Sequence, residues 1–71
     1  MIEKPATDPI LPDVESALDL YDVSATAFGY FAAGDPTLLA KMRKGMHLRD
    51  RRRGKVKRAL KRIYRNRGIP K

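Results

Sequence analysis

A chain of 71 residues of which 42% are hydrophobic is one small domain, and a domain of this size buries only about 60% of the surface its unfolded chain exposes, which leaves little room for an enclosed catalytic cavity. There is no Cys and His47 is the only His, so disulfide staples, thiolate metal sites and multi-histidine sites are excluded, and an enzyme, a cofactor or a metal is not expected. Charge is divided along the chain: residues 1–35 carry seven acids against Lys4 (net −6) and residues 36–71 carry fifteen Lys and Arg against Asp50 (net +14), which together make the formal +8.

Such a split predicts one basic face that attracts a polyanion and one acidic face that repels it. No stretch approaches the roughly 20 apolar residues of a membrane span. The start Met1-Ile2-Glu3-Lys4-Pro5 has neither the basic lead nor the apolar core of a signal peptide. No membrane partner is expected, and the expected location is the cytoplasm, on the nucleoid.

Residues 1–11 hold Pro5, Pro9, Thr7 and Asp8 without an apolar period, which predicts a mobile N-terminal arm. From there the spacing predicts a domain over 12–66 and a short tail over 67–71. The first helix is predicted over Pro12 to Tyr21, with Val14, Ala17, Leu18, Leu20 and Tyr21 on its apolar stripe and Asp13 and Glu15 in its first turn. Ser24 can cap a second helix whose inward residues are Phe28, Phe31 and Ala32, and Gly34 stops it. Asp35 is the expected cap of a third helix over 36–44, with Pro36 at its first position and Leu38, Leu39 and Met42 inward, closed by Gly45.

Met46 and Leu48 anchor a loop, and Asp50 is the expected cap of a fourth helix that runs to about Asn66 on an inward stripe of Val56, Ala59, Leu60 and Ile63. Gly54 weakens its first turns by roughly 1 kcal/mol. Either this helix starts near Lys55, or Arg51 to Arg53 form an arm that orders on its partner. The fold class is therefore all-α: a compact bundle of about four short helices.

The short connections allow a helix-turn-helix in two registers. One makes residues 25–33 the recognition helix, but it offers only Ala25, Thr26, Ala27, Gly29 and Tyr30 beside Asp19, Asp22 and Asp35, a surface unsuited to phosphates. The other makes residues 24–33 the support and 36–44 the reader, puts Gly29 at the helix crossing, and leads directly into the basic segment. Electrostatics selects the second.

The segment Phe28-Gly29, Ala32, Gly34-Asp35-Pro36, Leu38-Leu39, Met42-Arg43 and Gly45, followed by a loop and a striped helix, resembles the Cro and C1 repressor-like helix-turn-helix family over about residues 24 to 63. The resemblance implies a sequence-specific regulator of transcription on double-stranded DNA. Thr37, Lys41 and Lys44 would then face base edges in the major groove, and Arg43, His47, Arg49, Arg51, Arg52, Arg53, Lys55, Lys57 and Arg58 would contact phosphates. No Gln or Asn opens the third helix, so bidentate reading of adenine is not offered there.

A homodimer would supply two half-sites, with Ile63, Tyr64 or the acidic first helix as association surfaces. The alternatives are an arginine-rich RNA binder, as in antitermination, and an adaptor whose Glu15, Asp19 and Asp22 dock a basic protein surface, for example on RNA polymerase. Tyr21, Tyr30 and Tyr64 are expected as half-buried core residues rather than stacking platforms.

Overall fold

The computed structural model describes residues 7–70, which form four helices and, among the described residues, no strand. They are α1 (Leu11–Leu20), α2 (Ala25–Ala33), α3 (Leu38–Arg43) and α4 (Asp50–Asn66). The first six residues of the expected mobile arm lie outside the described residues. The rest of that arm is packed: Asp8, Ile10 and Leu11 are buried. None of the described helices is long and apolar enough to cross a membrane.

Two Asp-Pro turns set where α1 and α3 begin. In each, the Asp side chain accepts the amide hydrogen two residues on, from Ile10 to Asp8 Oδ1 at 3.0 Å and from Thr37 to Asp35 Oδ1 at 2.9 Å. In each, the Asp carbonyl also accepts an amide three residues on, from Leu11 at 2.9 Å and from Leu38 at 3.1 Å. An Asp that bonds its own backbone two residues ahead is a local turn former, and the following Pro fixes the next φ. This second turn corrects the expected start and cap of α3: Pro36 and Thr37 belong to the turn, Thr37 rather than Asp35 holds the cap position and no side chain caps it, and the helix is two residues shorter at that end.

Ser24 caps α2 as its position predicts, Oγ accepting the Ala27 amide at 3.1 Å. At the other end Gly34 adopts φ +67°, a left-handed conformation that costs Gly nothing sterically. Asp50 does not cap α4; Arg49 holds the extended cap position and Asp50 opens the first turn. The helix runs without a break through Gly54, so neither the late start nor the arm expected there occurs.

The core joins α1 to α4, α2 to α3 and α2 to α4. Val14, Phe28, Leu38, Leu39, Met42, Val56 and Ile63 are wholly buried, and burying a side chain of that size contributes about 1.5–3 kcal/mol. Leu20, expected on the inner stripe, is 65% exposed, because it lies about 200° around the helix from Leu18 at about 100° per residue. Ile63 is buried and so is not available for self-association. Of the tyrosines only Tyr21 is half-buried, packed edge-on against Tyr64 at 5.6 Å between ring centroids; Tyr30 and Tyr64 are 65% and 47% exposed.

The α2–α3 crossing is built on Gly29. A Cβ there would lie 2.3 Å from the Asp35 carbonyl oxygen and 3.2 Å from Leu38 Cβ. Ala normally gains about 1 kcal/mol over Gly inside a helix, whereas forcing backbone apart in a packed contact costs about 1–3 kcal/mol or more. We expect Gly29→Ala to destabilise the domain by about 2 kcal/mol in chemical denaturation; a variant more stable than wild type would show that the turn gives way freely.

Candidate nucleic-acid interface

Arg51, Arg52 and Arg53 sit on consecutive positions of α4, about 100° apart around the helix, and they divide accordingly. Arg53 reaches the first Asp-Pro turn and forms a two-pronged pair with Asp8, Nη1 to Oδ1 at 2.8 Å and Nη2 to Oδ2 at 2.6 Å. Arg52 reaches the second, with Nη1 at 3.5 Å from Asp35 Oδ2. Arg51 is exposed and has no acidic partner among the described residues.

Asp8 is a buried carboxylate with every oxygen satisfied, since it also accepts the Leu48 amide at 2.7 Å. Burial pushes its carboxyl upward, but the hydrogen bonds from Arg53 and from the Ile10 and Leu48 amides, with the Arg53 charge, outweigh that and hold it at about 2 against an ordinary 3.8. Because Arg53 also donates to the Leu48 carbonyl at 3.1 Å, one ion pair fastens the N-terminal turn, the α3–α4 loop and the start of α4. The expected mobile arm hid this role of Asp8; the Asp-Pro-Ile-Leu pattern before a helix was the signal that could have shown it.

Asp35 collects the residues expected at the reading edge. The Thr37 hydroxyl donates to Oδ1 at 2.7 Å and Lys41 Nζ donates to Oδ2 at 3.2 Å. The Thr37 side-chain and backbone hydrogen bonds outweigh desolvation and, with a smaller contribution from Lys41, keep this carboxyl at about 2 against an ordinary 3.8. On the other side of α3, Arg43 forms a second two-pronged pair, Nε to Glu15 Oε2 at 2.7 Å and Nη2 to Oε1 at 2.6 Å. These hydrogen bonds hold Glu15 below its ordinary carboxylate value against partial desolvation, and they tie the expected docking acid on α1 to an expected phosphate contact.

Lys41, Arg43, Arg52 and Arg53 thus have acidic partners, whereas Lys44, His47, Arg49, Arg51, Lys55, Lys57 and Arg58 are exposed without one among the described residues. Lys44, His47, Arg49 and Arg51 follow α3 directly, through the loop and into the first turn of α4. Exposed Lys61, Arg62, Arg65 and Arg67 extend the basic surface to the far end of the helix. They fall outside the expected contact set, although the same charge run announces them. Asp19 and Asp22, expected on a protein-docking surface, are exposed and have no cation partner among the described residues.

Among the described residues no group of three or more His, Asp or Glu is placed to hold a metal ion. No protein-family model, curated protein or solved structure matches the chain.

Proposed function

We propose that the chain is a sequence-specific DNA-binding regulator of transcription in which α2 supports α3 in a helix-turn-helix. The observation that carries this reading is the tight α2–α3 crossing at Gly29, followed without interruption by the unpaired cations Lys44, His47, Arg49 and Arg51. A short helix presented on a rigid support, with cations just beyond its end, suits insertion in a major groove with phosphates gripped alongside. The resemblance to the Cro and C1 repressor-like family supports the same register. Thr37 and Ala40 are exposed on the reading side and offer methyl groups to thymine, while the Lys44 ammonium is the donor available to guanine. A protein of this kind would work on the nucleoid.

Selection of bound duplexes from a random pool tests the proposal. We expect an enriched motif, and we expect Lys44→Ala to lose about 1–3 kcal/mol on that motif and to relax preference at one or two positions. A pool without enrichment, or equal weakening on every sequence, would overturn α3 as the reader.

One observation favours a second reading. The cations Arg58, Lys61, Arg62, Arg65 and Arg67 continue along α4 well beyond the α3 edge, as an arginine-rich helix for structured RNA would. Competition between duplex DNA and structured RNA at fixed salt separates the two.

A further inference from the structure

Between the end of α2 and the middle of α4 lies an open groove of about 440 Å³, with Phe31, Ala33 and Ala59 on its floor and Lys55, Arg58 and Arg62 along its rim. The Arg62 guanidinium stands over the Phe31 ring, 5.5 Å from its centroid. None of the three cations has an acidic partner among the described residues. Lys44, Arg49 and Arg51 do not line the groove, although Arg51 precedes Lys55 by one turn on the same face of α4, and the apolar floor has nothing to gain from a phosphate.

The outer face of α1 is its counterpart. Asp13, Ser16, Asp19 and Leu20 are exposed there, on one side of the helix by their three- and four-residue spacing, with exposed Asp22 just beyond. Leu20 is the exposed large hydrophobic residue of α1, and the carboxylates around it have no cation partner among the described residues. Seven residues separate Lys55 from Arg62 and Asp13 from Leu20, about 10 Å of helix in both cases.

We infer that the groove is the seat of a second copy of this chain: α1 of one copy lies along the groove of another, Leu20 entering over Phe31 and Ala33, and the Asp13, Asp19 and Asp22 carboxylates meeting Lys55, Arg58 and Arg62. Opposite charge sets the register and the leucine supplies apolar burial. Donor and acceptor are different patches, so the contact is head to tail. Each added copy presents a new groove and a new α1.

The test uses the full chain without nucleic acid, by sedimentation at about 0.01 M salt, where charges act over about 30 Å, and at about 1 M, where they act over about 3 Å. Wild type should grow beyond a monomer at low salt and return to it at high salt. Asp13→Asn/Asp19→Asn/Leu20→Ser removes the donor, and Lys55→Gln/Arg58→Gln/Arg62→Gln removes the acceptor; both sets are exposed, and circular dichroism checks that each variant keeps its helices. Each should be monomeric alone, and their mixture should stop at a one-to-one pair, since one intact donor and one intact acceptor remain. A wild type that stays monomeric at low salt, an association that survives either variant, or a mixture that fails to pair would overturn the inference. Duplex binding by Lys44 and its neighbours would stand in each of those cases.

Discussion

Replacing Asp8 with Ala is expected to cost about 3 kcal/mol of stability, because it strands part of a buried ion pair and leaves the Leu48 and Ile10 amides without their acceptor. A domain of this length holds about 4–10 kcal/mol in total, and the loss corresponds to a fall in thermal midpoint of roughly 12–24 °C. Arg53→Lys, which keeps the charge and loses the fork, should fall between wild type and Asp8→Ala. A loss below about 1 kcal/mol would mean that water replaces the pair at little cost. The same carboxylate makes stability depend on acid. Its folded value of about 2 lies below the ordinary 3.8, so its contribution is fully present above about 3.8 and is lost as pH falls toward 2. Wild type should lose stability across that window, and Asp8→Ala should lose less, as read by denaturant titrations at successive pH values.

Removing Lys44, Arg49 and Arg51 together is expected to weaken duplex binding by about 100- to 1,000-fold at 0.1 M salt, Lys44 through its base contact and the two arginines through phosphates, and to make the slope of log affinity against log salt shallower by about two units. Each phosphate contact contributes about 0.9 to that slope through counterion release, and Arg49 and Arg51 have no acidic partner among the described residues that would cancel the effect. The Arg51, Arg52 and Arg53 triplet should change the slope by only about one unit, since Arg52 and Arg53 already face Asp35 and Asp8. Equal slopes for the two triple variants would show that phosphates displace the internal carboxylates.

Four helices and their order were legible in the sequence because each carries its own local signals, such as Ser24 and Gly34 around α2 and the Val56, Ala59, Leu60 and Ile63 stripe of α4. The Gly29 crossing was legible too, since a residue without a side chain between two apolar positions has few other uses. Boundaries slipped where two local signals competed. Pro36 suits a first helical position, but the Asp35 carboxylate takes the Thr37 amide and holds Pro36 in a turn. Two of the ion pairs were not legible, because the partners lie far apart along the chain: 45 residues for Asp8 with Arg53 and 28 for Glu15 with Arg43. Composition counted those charges correctly, and only the packing of α1 and the first Asp-Pro turn against the later helices assigns them.

Asp35 gives the proposed reading edge an occupant of its own. An anion that approaches Lys41 or Arg52 meets cations already in contact with a carboxylate, so it must exchange with that carboxylate and leave it solvated. Exchange of one anion for another brings little net neutralisation, and these two side chains therefore add little to loose, long-range adhesion. They engage an incoming group only when its geometry fits them better than Asp35 does. On the proposed function Asp35 would act as a brake on indiscriminate sticking at the very turn that presents α3, while Lys44, Arg49 and Arg51 beside it would pull without an acidic partner among the described residues.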